Sequence, residues 1–588
     1  MFEKIKNMEI NAIESRMTEQ DKKWLKTVFS PIVVGVQPED SRRNLCVLKD
    51  GEIRYYGEKD KPHPSKKGTP VYISSNDGGR TWKEYEVGKC LGSSVYLPWC
   101  DKYVTVMSDL LGARTGTYAR ISHIGPDDEN YKEIKITDKV FWNFMQPKVM
   151  RGSHRIFVSC DYFDGSTGDY IAVFMYSDDD GESWEYKMMK STERYVPTWP
   201  SVDDRWNNNG SEPTVTELAD GSLWMLARTS LGYYYSYFSY DKGESWTNAT
   251  QSPFHATLTT PCFYELSDGR LLLFWNNCEP LPETRHGFTL HGKPKDFHFA
   301  DEEDVFTNRD ACHVAIMEKD GTWKGFRELA LADIRNQPDY RYNGGFVSSG
   351  DKSVQQFQAL ELPYGKVLVA YGQHVALRRL AIFDVDWLLE DFREEDFKDG
   401  LKNVSTQMFV RSWSGCNLYL GKSGHSAWNR TNGALLVPDP DELFRETLQI
   451  CRIHDERLVS EKQGVVWNFP MSKKGRIDIE FRIDGAGVRV SLTDRWFQPI
   501  DENAYDEAVF AFALTERFIE KGKWHNLAVC YDVEQGIAQM FVNENFVCNI
   551  KLRNQLSFGI SYLHVQTCAE KEDFKGTLIR KIKMKELK

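Results

Sequence analysis

The sequence predicts an all-β protein made of a repeated unit, and three observations support this prediction. An eight-residue pattern, Ser-x-Asp-x-Gly-x-Ser/Thr-Trp, occurs at residues 75–82, 177–184 and 239–246, and a worn copy ends at 320–323. The 588 residues include 42 Gly, 22 Pro and 13% aromatic residues. New strand patterns without this motif follow in the last third of the chain. An element that recurs at intervals of about 60 to 100 residues indicates one supersecondary unit used repeatedly.

The chemistry of this pattern, which we call the octet, predicts a stapled hairpin turn. Its Asp and Ser side chains can accept hydrogen bonds from nearby backbone N–H groups, its Gly permits a positive φ, and its Trp covers the turn. The acidic run Asp178-Asp179-Asp180 lacks the twelve-residue loop and final bidentate Glu of an EF-hand. We therefore predict that the octets build structure and hold no metal.

The amino-terminal residues 1–30 are predicted to form a helical extension. Thr18, followed three residues later by Asp21, marks a helix start, and the amphipathic run 24–29 follows it. We expect a short helix that packs outside the main body.

From Pro31 onward, short alternating runs punctuated by Gly and Asp are typical of β-hairpins. We interpret the tight turns at 50–51, 220–221, 268–269 and 364–365 as joining strands two and three of each repeat. The octets would then join strands three and four. Six repeats are counted, near residues 40–90, 95–140, 145–190, 210–250, 258–328 and 352–400, and the second has no octet.

A second β domain is predicted over residues 403–588, after a short helical run at 384–392. Alternating patterns with a turn every ten residues or so indicate an antiparallel sandwich. The predicted strands are 475–483, 488–492, 508–514, 524–532 and 538–543.

Composition limits the partners and the compartment. The net charge, 74 Lys and Arg against 86 Asp and Glu, is −12 and argues against nucleic acid or an anionic membrane as the main partner. The chain has no run of about 20 apolar residues, and its first residues lack the apolar core of a signal peptide. We therefore predict a cytoplasmic protein, although a chain trimmed of its signal peptide would look the same. The 12 cysteines show no metal-ligand spacing and are predicted to be free, mostly buried thiols, and no cofactor is predicted.

The octets resemble the Asp-boxes, or BNR repeats, of sialidases and related β-propellers, over roughly residues 35 to 400. The resemblance implies a six-bladed, sialidase-like β-propeller over residues 31–402, with boxes at outer turns and a site at one end of the axis. The carboxy-terminal region resembles a laminin-G or concanavalin-like jelly roll. That domain either braces the propeller or binds glycans.

Glu212 is the strongest candidate for chemistry. It lies just before a strand, and Arg228 lies at the far end of the same hairpin, so the two side chains can meet at the mouth of a propeller. The resemblance implies that Glu212 is the essential sialidase Glu and that Arg228 is the second Arg of the carboxylate-binding triad. The alternative is an ordinary structural ion pair.

The resemblance implies two further arginines. Arg309, before an outer strand, matches the third Arg of the triad, with Arg285 as a rival, and Arg43 matches the first. A guanidinium fork suits a carboxylate because it donates two parallel, charge-assisted hydrogen bonds. The alternative is that these arginines brace surface carboxylates.

A second carboxyl group is required for glycoside hydrolysis. The family's acid/base Asp lies between the first hairpin and the first box, which implies Asp60. The competing candidates are Asp203 and Asp204, close in sequence to Glu212. A solvated loop is the structural alternative for Asp60.

The family's nucleophile is a Tyr before the final hairpin, and Gln356 occupies the aligned position in this chain. Tyr340 and Tyr342 lie upstream and are the candidate replacements. His374 is a minor candidate for a base or a ligand-binding residue.

The sequence as a whole predicts an exo-glycosidase that releases a terminal, acidic sugar from a small glycan. Two alternatives remain open. Related propellers carry out β-elimination on uronic acids, where an Arg neutralises the carboxylate and a Tyr or His takes the neighbouring proton. The other alternative is a carbohydrate-binding propeller without catalysis. The expected partner is a small saccharide, and the sequence leaves open whether the chain forms homo-oligomers.

Overall fold

The computed structural model describes residues 2–60, 68–88, 92–108, 115–196, 208–280, 308–331, 335–336, 354–373, 377–409, 430–456 and 458–588. Among these residues, no helix is both long enough and apolar enough to cross a membrane. The helices are α1 (Phe2–Arg16), α2 (Glu19–Thr27) and α3 (Asn503–Glu507), with 3-10 turns at Pro363–Gly365 and Val385–Leu389.

The strands fall into two series. Up to residue 384 they are β1 (Ile32–Gly35), β2 (Asp40–Val47), β3 (Ile53–Lys59), β4 (Thr69–Ser75), β5 (Lys83–Glu86), β6 (Ser93–Leu97), β7 (Lys102–Ser108), β8 (Thr117–Ser122), β9 (Lys132–Thr137), β10 (Lys148–Val149), β11 (Ile156–Asp164), β12 (Asp169–Ser177), β13 (Glu185–Met188), β14 (Asn209–Glu217), β15 (Leu223–Thr229), β16 (Tyr233–Ser239), β17 (Thr250–His255), β18 (Cys262–Glu265), β19 (Leu271–Trp275), β20 (Ala311–Met317), β21 (Trp323–Leu331), β22 (Gln358–Leu362), β23 (Lys366–Tyr371) and β24 (Arg379–Asp384). After residue 390 they are β25 (Phe392–Glu395), β26 (Val404–Ser405), β27 (Met408–Phe409), β28 (Arg430–Thr431), β29 (Leu435–Pro438), β30 (Glu446–Arg452), β31 (Gly464–Ser472), β32 (Lys474–Ile483), β33 (Val488–Thr493), β34 (Phe510–Leu514), β35 (Trp524–Asp532), β36 (Ile537–Val542), β37 (Asn545–Lys551), β38 (Ile560–Thr567) and β39 (Asp573–Glu586).

The first series forms separate four-stranded antiparallel sheets, six of them within the described residues. Sheets 1 to 5 are β2–β5, β6–β9, β10–β13, β14–β17 and β18–β21. Sheet 6 consists of β22, β23 and β24, and the amino-terminal strand β1 supplies its fourth strand. Each predicted repeat therefore contains one sheet, and the last sheet is completed by a strand from the start of the chain.

The hydrophobic core lies between consecutive sheets. In β15, Leu223 and Met225 pack towards sheet 3, whereas Trp224 and Leu226 pack towards sheet 5. Successive side chains of a strand point to opposite faces, so a strand between two neighbours is apolar on both. Similar clusters join sheets 1 and 2, 2 and 3, 5 and 6, and also sheets 6 and 1.

The octets form the predicted stapled turns. In the octet 177–184, Asp179 Oδ1 accepts from the Ser183 backbone N–H at 2.8 Å, and Trp184 Nε1 donates to the Gly181 carbonyl at 2.9 Å. The same bonds recur in the octets 75–82 and 239–246. All three octets join the third and fourth strands of a sheet, as expected. The prediction for the tight turns was wrong: they join the first and second strands.

The amino-terminal helices confirm the predicted helix start but correct the predicted placement. Thr18 caps α2, and its hydroxyl and Asp21 form a capping box. The buried residue Leu25 of α2 belongs to a cluster that also contains residues of the sheets, so this helix is part of the main packing. Helix α1, which the sequence did not predict as a separate helix, contributes Ile5 and Ile13 to such clusters as well.

Helix α1 lies across the ends of the first strands. A Cβ at Gly51, in the turn after β2, would lie 2.1 Å from the Ala12 carbonyl oxygen, and Tyr364, in the turn after β22, donates to Glu14 at 2.6 Å. A cavity of about 80 Å³ lies between α1 and these strands. We call the opposite end, where the first strands begin, the mouth.

The second series forms two large sheets that share one hydrophobic cluster, and β27 and β28 pair as a separate two-stranded sheet. One large sheet runs in the order β29-β30-β39-β32-β35-β36-β37, with β25 paired to β39, and the other runs β26-β31-β38-β33-β34. The predicted strands lie at or within two residues of β32 to β36. Strand β25 lies ahead of the predicted domain boundary at residue 403.

The second of these sheets packs against sheet 5. Asn468 on β31 accepts from the Glu328 N–H at 2.9 Å and donates to the Phe326 carbonyl at 3.0 Å. Tyr562 on β38 donates to the Glu328 carboxylate at 2.9 Å. This sheet face is therefore occupied by intramolecular contacts.

Candidate functional site

The mouth holds one buried carboxylate between two guanidinium groups. Glu212, near the start of β14, is 4% exposed. Its Oε1 accepts from Arg43 Nη2 at 2.7 Å, and its Oε2 accepts from Arg228 Nη1 and from Thr260 Oγ1, the latter at 2.5 Å. The structure thus brings together Glu212, Arg228 and Arg43, and the contact between Glu212 and Arg228 is the one that the sequence predicted.

The electrostatics of this cluster keep Glu212 ionised. Burial by itself raises the pKa of the Glu212 carboxyl, but the charges of Arg228 and Arg43 and the Thr260 hydrogen bond hold this pKa well below its usual range. Glu212 is therefore a fixed negative charge at neutral pH and cannot donate a proton.

The backbone of the mouth is held in an uncommon conformation. Arg43, Glu212 and Gln356 have φ angles of 51°, 43° and 68°. Register irregularities interrupt the β2–β3 and β14–β15 pairs next to Arg43 and Glu212. Left-handed residues other than glycine are rare, and strained backbone clusters at functional sites. Their concentration in one contact cluster indicates a functional site.

Gln356 is a partner of Arg43. Its Oε1 accepts from Arg43 Nε at 2.6 Å and also from Arg43 Nη2. An amide is a neutral acceptor, so Gln356 orients the guanidinium without cancelling its charge. The residue at the aligned nucleophile position is thus part of the cluster.

A four-residue segment, Thr257 to Thr260, connects the cluster to its surroundings. Leu258 carbonyl oxygen accepts from Arg309 Nε at 3.0 Å, and Thr259 Oγ1 lies 2.8 Å from the Tyr234 hydroxyl. Thr257 Oγ1 donates to the Asn308 carbonyl at 2.6 Å. The segment therefore links Glu212, through Thr260, to the side chain of Arg309 and to the backbone of Asn308.

Arg309 lies next to the cluster but makes no hydrogen bond to Glu212 among the described contacts. It is fully buried, and its neighbour Asp310 pairs with Arg430 of the carboxy-terminal region. Gln407 also donates to Asp310, at 3.3 Å. Arg309 thus lies between the mouth and residues of the carboxy-terminal region.

Asp161 is a member of the site that the sequence did not reveal. It lies near the mouth end of β11 and is 1% exposed. Its Oδ2 accepts from the Glu212 backbone N–H at 2.7 Å and from Asn143 Nδ2 at 2.9 Å. Burial raises the pKa of Asp161 to about 6. The one sequence signal was an acidic residue in the interior of a largely apolar strand.

The remaining predicted residues are not in this cluster. Asp60 follows β3 towards the mouth end, but its side chain is exposed, and no described contact joins it to Glu212. Asp203, Asp204, Arg285, Tyr340, Tyr342 and His374 lie outside the described residues. Within the described part of the chain, no group of three or more His, Cys, Asp or Glu residues could hold a metal ion.

Comparisons with known proteins agree with the repeated pattern of the octets. Residues 137–373 match the family model of the BNR repeat-like domain. Among solved structures, the chain is similar to Trypanosoma rangeli sialidase in complex with sialic acid, with 11% identity, 96% of this chain and 95% of that chain covered, and a TM-score of 0.38. It is also similar to a Dyadobacter fermentans protein of unknown function, with 15% identity, 60% and 97% covered, and a TM-score of 0.39.

No curated protein matches the chain. Because the structural similarities are low, the description of the fold rests on its own sheet topology. The segment that matches the BNR repeat-like domain, residues 137–373, includes β14, Glu212 and Arg228.

Proposed function

We propose that the six sheets are the blades of a six-bladed β-propeller and that the two carboxy-terminal sheets form a β-sandwich that braces it. The clusters between consecutive sheets, including sheets 6 and 1, support a closed ring. The domains would be the extension 1–30, the propeller from residue 31 and the sandwich up to residue 588, with the boundary moved from 402 to about 391 because β25 pairs with β39.

The mouth is the active site of an exo-glycosidase that releases a terminal, acidic sugar from a small glycan. The observation that carries this proposal is the buried Glu212 carboxylate, held by Arg43 and Arg228 on left-handed backbone. Arginine forks suit a planar carboxylate. A substrate carboxylate would take the place of Gln356 on Arg43.

Glu212 acts in this proposal as a permanent negative charge. Glycoside cleavage passes through an oxocarbenium-like transition state, which a fixed carboxylate stabilises. The bond between the anomeric carbon and the glycosidic oxygen breaks, that oxygen takes a proton, and a water molecule supplies the new hydroxyl. Asp60 or Asp203 remains the proposed proton donor, and Tyr342 the proposed nucleophile. In this scheme the Tyr342 oxygen bonds to the anomeric carbon as the glycosidic bond breaks, and water then displaces it and returns one proton to the Asp carboxylate.

Mass spectrometry of reaction products tests this function. The native protein and Glu212→Gln are incubated with sialosides, glucuronides, rhamnosides and related oligosaccharides. Glu217→Gln is the matched control, because Glu217 is a buried carboxyl at the other end of β14. Released sugars that contain the elements of water, formed by the native protein and the control but not by Glu212→Gln, establish a hydrolase.

Two other outcomes contradict the proposal. An unsaturated, water-deficient uronate among the products identifies a lyase. No turnover across the panel, together with sugar binding that survives Glu212→Gln, identifies a carbohydrate-binding propeller.

A further inference from the structure

Asp161 contacts the backbone of Glu212 and is buried within the site. Its Oδ2 accepts the Glu212 backbone N–H at 2.7 Å, which holds the left-handed peptide of Glu212 in place. Its Oδ1 is buried and has no hydrogen-bond partner in the described structure. A buried carboxylate oxygen without a donor disfavours the ionised form, because desolvation is not compensated.

The charge of the cluster depends on the protonation of this carboxyl. Arg43 and Arg228 carry two positive charges and Glu212 carries one negative charge, so these three side chains sum to +1. An ionised Asp161 brings the sum to zero, and a neutral Asp161 leaves it at +1. Among the described residues, the ionisable groups whose charges act on Asp161 are Glu212 on β14 and Arg43 on β2. Burial raises the pKa of the adjacent Cys160 thiol, which therefore stays neutral.

We propose that Asp161 sets the affinity of the mouth for carboxylate ligands: in its neutral form the cluster keeps a net positive charge, and in its ionised form it loses that charge. This inference rests on the proposed function for the class of ligand, an acidic sugar. Asp161 is a specificity-determining residue here. It acts through the charge and position of Glu212 and does not replace the proton donor.

Proton linkage gives the direction of the effect. Burial raises the pKa of Asp161 to about 6, whereas a sugar carboxyl group stays ionised well below that pH. The dissociation constant of an acidic sugar should therefore rise as the pH increases through about 6, by up to about tenfold per pH unit. Above that pH, binding should take up a proton.

Calorimetric titration with D-glucuronate and N-acetylneuraminate, from about pH 5 to about pH 8, tests the inference. Two buffers of different ionisation enthalpy report the proton uptake, and D-glucose is the neutral comparator. Asp161→Asn keeps an oxygen for the Glu212 N–H but stays neutral, so it should bind acidic sugars tightly and without pH dependence. Glu217→Gln removes a buried carboxyl whose pKa is also raised by burial, and it should keep the native pH dependence.

Equal pH dependence in the native protein and Asp161→Asn would overturn the inference, while turnover in the product assay would leave the proposed function standing. Absence of acidic-sugar binding at every pH would overturn both.

Unfolding measurements provide a second, ligand-free test. Because the folded pKa of Asp161 lies above its ordinary value of 3.8, the stability of the native protein relative to Asp161→Asn should fall as the pH rises from 3.8 to about 6. A flat difference over this range would show that Asp161 does not titrate there and would overturn the inference without reference to any sugar.

Discussion

Glu212 at the mouth and Glu328 at the domain interface are both enclosed glutamates, yet their environments shift their pKa values in opposite directions. Two guanidinium groups hold the pKa of Glu212 well below its usual range. Burial raises the pKa of Glu328 to about 7, against weaker lowering by Arg393 and by the Tyr562 hydrogen bond. Burial disfavours the ionised carboxylate in both cases, and direct contact with cations decides whether the pKa is lowered or raised.

The partners of Glu328 are largely neutral. The Asn277 N–H donates to His313 Nδ1 at 2.9 Å, so the neutral ring carries its proton on Nε2, which lies 2.5 Å from the Tyr562 hydroxyl. Tyr562 in turn donates to Glu328. Burial lowers the pKa of His313 to about 3, which keeps the ring uncharged. The interface thus holds a chain of largely neutral groups, whereas the mouth maintains charge, as the proposed binding of an anionic ligand requires.

The largest expected effect comes from removing a cation at the mouth. Arg228→Met leaves the buried Glu212 with Arg43 as its remaining cation, and we expect a loss of about 3 kcal/mol in the free energy of unfolding. Binding of an acidic sugar should fall at least about a hundredfold. Urea unfolding and calorimetry measure the two effects. Arg228→Lys, which keeps the charge but not the fork, should give intermediate values. Unchanged stability in Arg228→Met would mean that the pair is not maintained in solution.

A smaller loss is expected at the interface. Tyr562→Phe removes the hydroxyl between His313 and Glu328, so two buried polar groups lose a partner, at about 1–3 kcal/mol. Sugar binding at the mouth should stay unchanged. A parallel loss of binding would show that the two regions are coupled and would weaken the contrast between them.

Glu328→Gln should have a still smaller effect, with a defined pH dependence. The folded pKa of Glu328 is raised from 4.5 to about 7, so the native protein loses stability relative to the neutral variant as the pH rises through this interval. Near pH 5 the two proteins should differ little, and near pH 8 the variant should be the more stable of the two. Thermal unfolding across this pH range measures the difference. The opposite slope would mean that Glu328 is ionised by its arginine neighbours, as Glu212 is.

The smallest change in stability, within about 0.5 kcal/mol, is expected for Gln356→Glu. The new carboxylate would pair with Arg43 and compete with an acidic ligand for it. Calorimetry should show weaker binding of acidic sugars, and Gln356→Met, which lacks the acceptor, is the uncharged comparator. Unchanged binding in Gln356→Glu would place the ligand carboxylate away from Arg43.

Much of the fold could be predicted because its signals are local. The octet's hydrogen bonds join residues no more than four positions apart, so the pattern itself specifies the turn. The capping box at Thr18 is equally local. The prediction that the tight turns join the second and third strands was wrong. Which strand begins a sheet depends on partners such as β1 and β24, which are distant in sequence.

The contacts of the candidate site also fall into local and long-range ones. Sequence alone determined the repeated β architecture, the octet turns and the pairing of Glu212 with Arg228, which lie 16 residues apart on one hairpin. Only the tertiary structure placed Gln356, 313 residues away, on Arg43, and Asp161, 51 residues away, behind Glu212. The physical reason is that hairpin contacts follow from chain geometry, whereas contacts between sheets exist only after the sheets pack, and that packing also desolvates the carboxyl groups and shifts their pKa values.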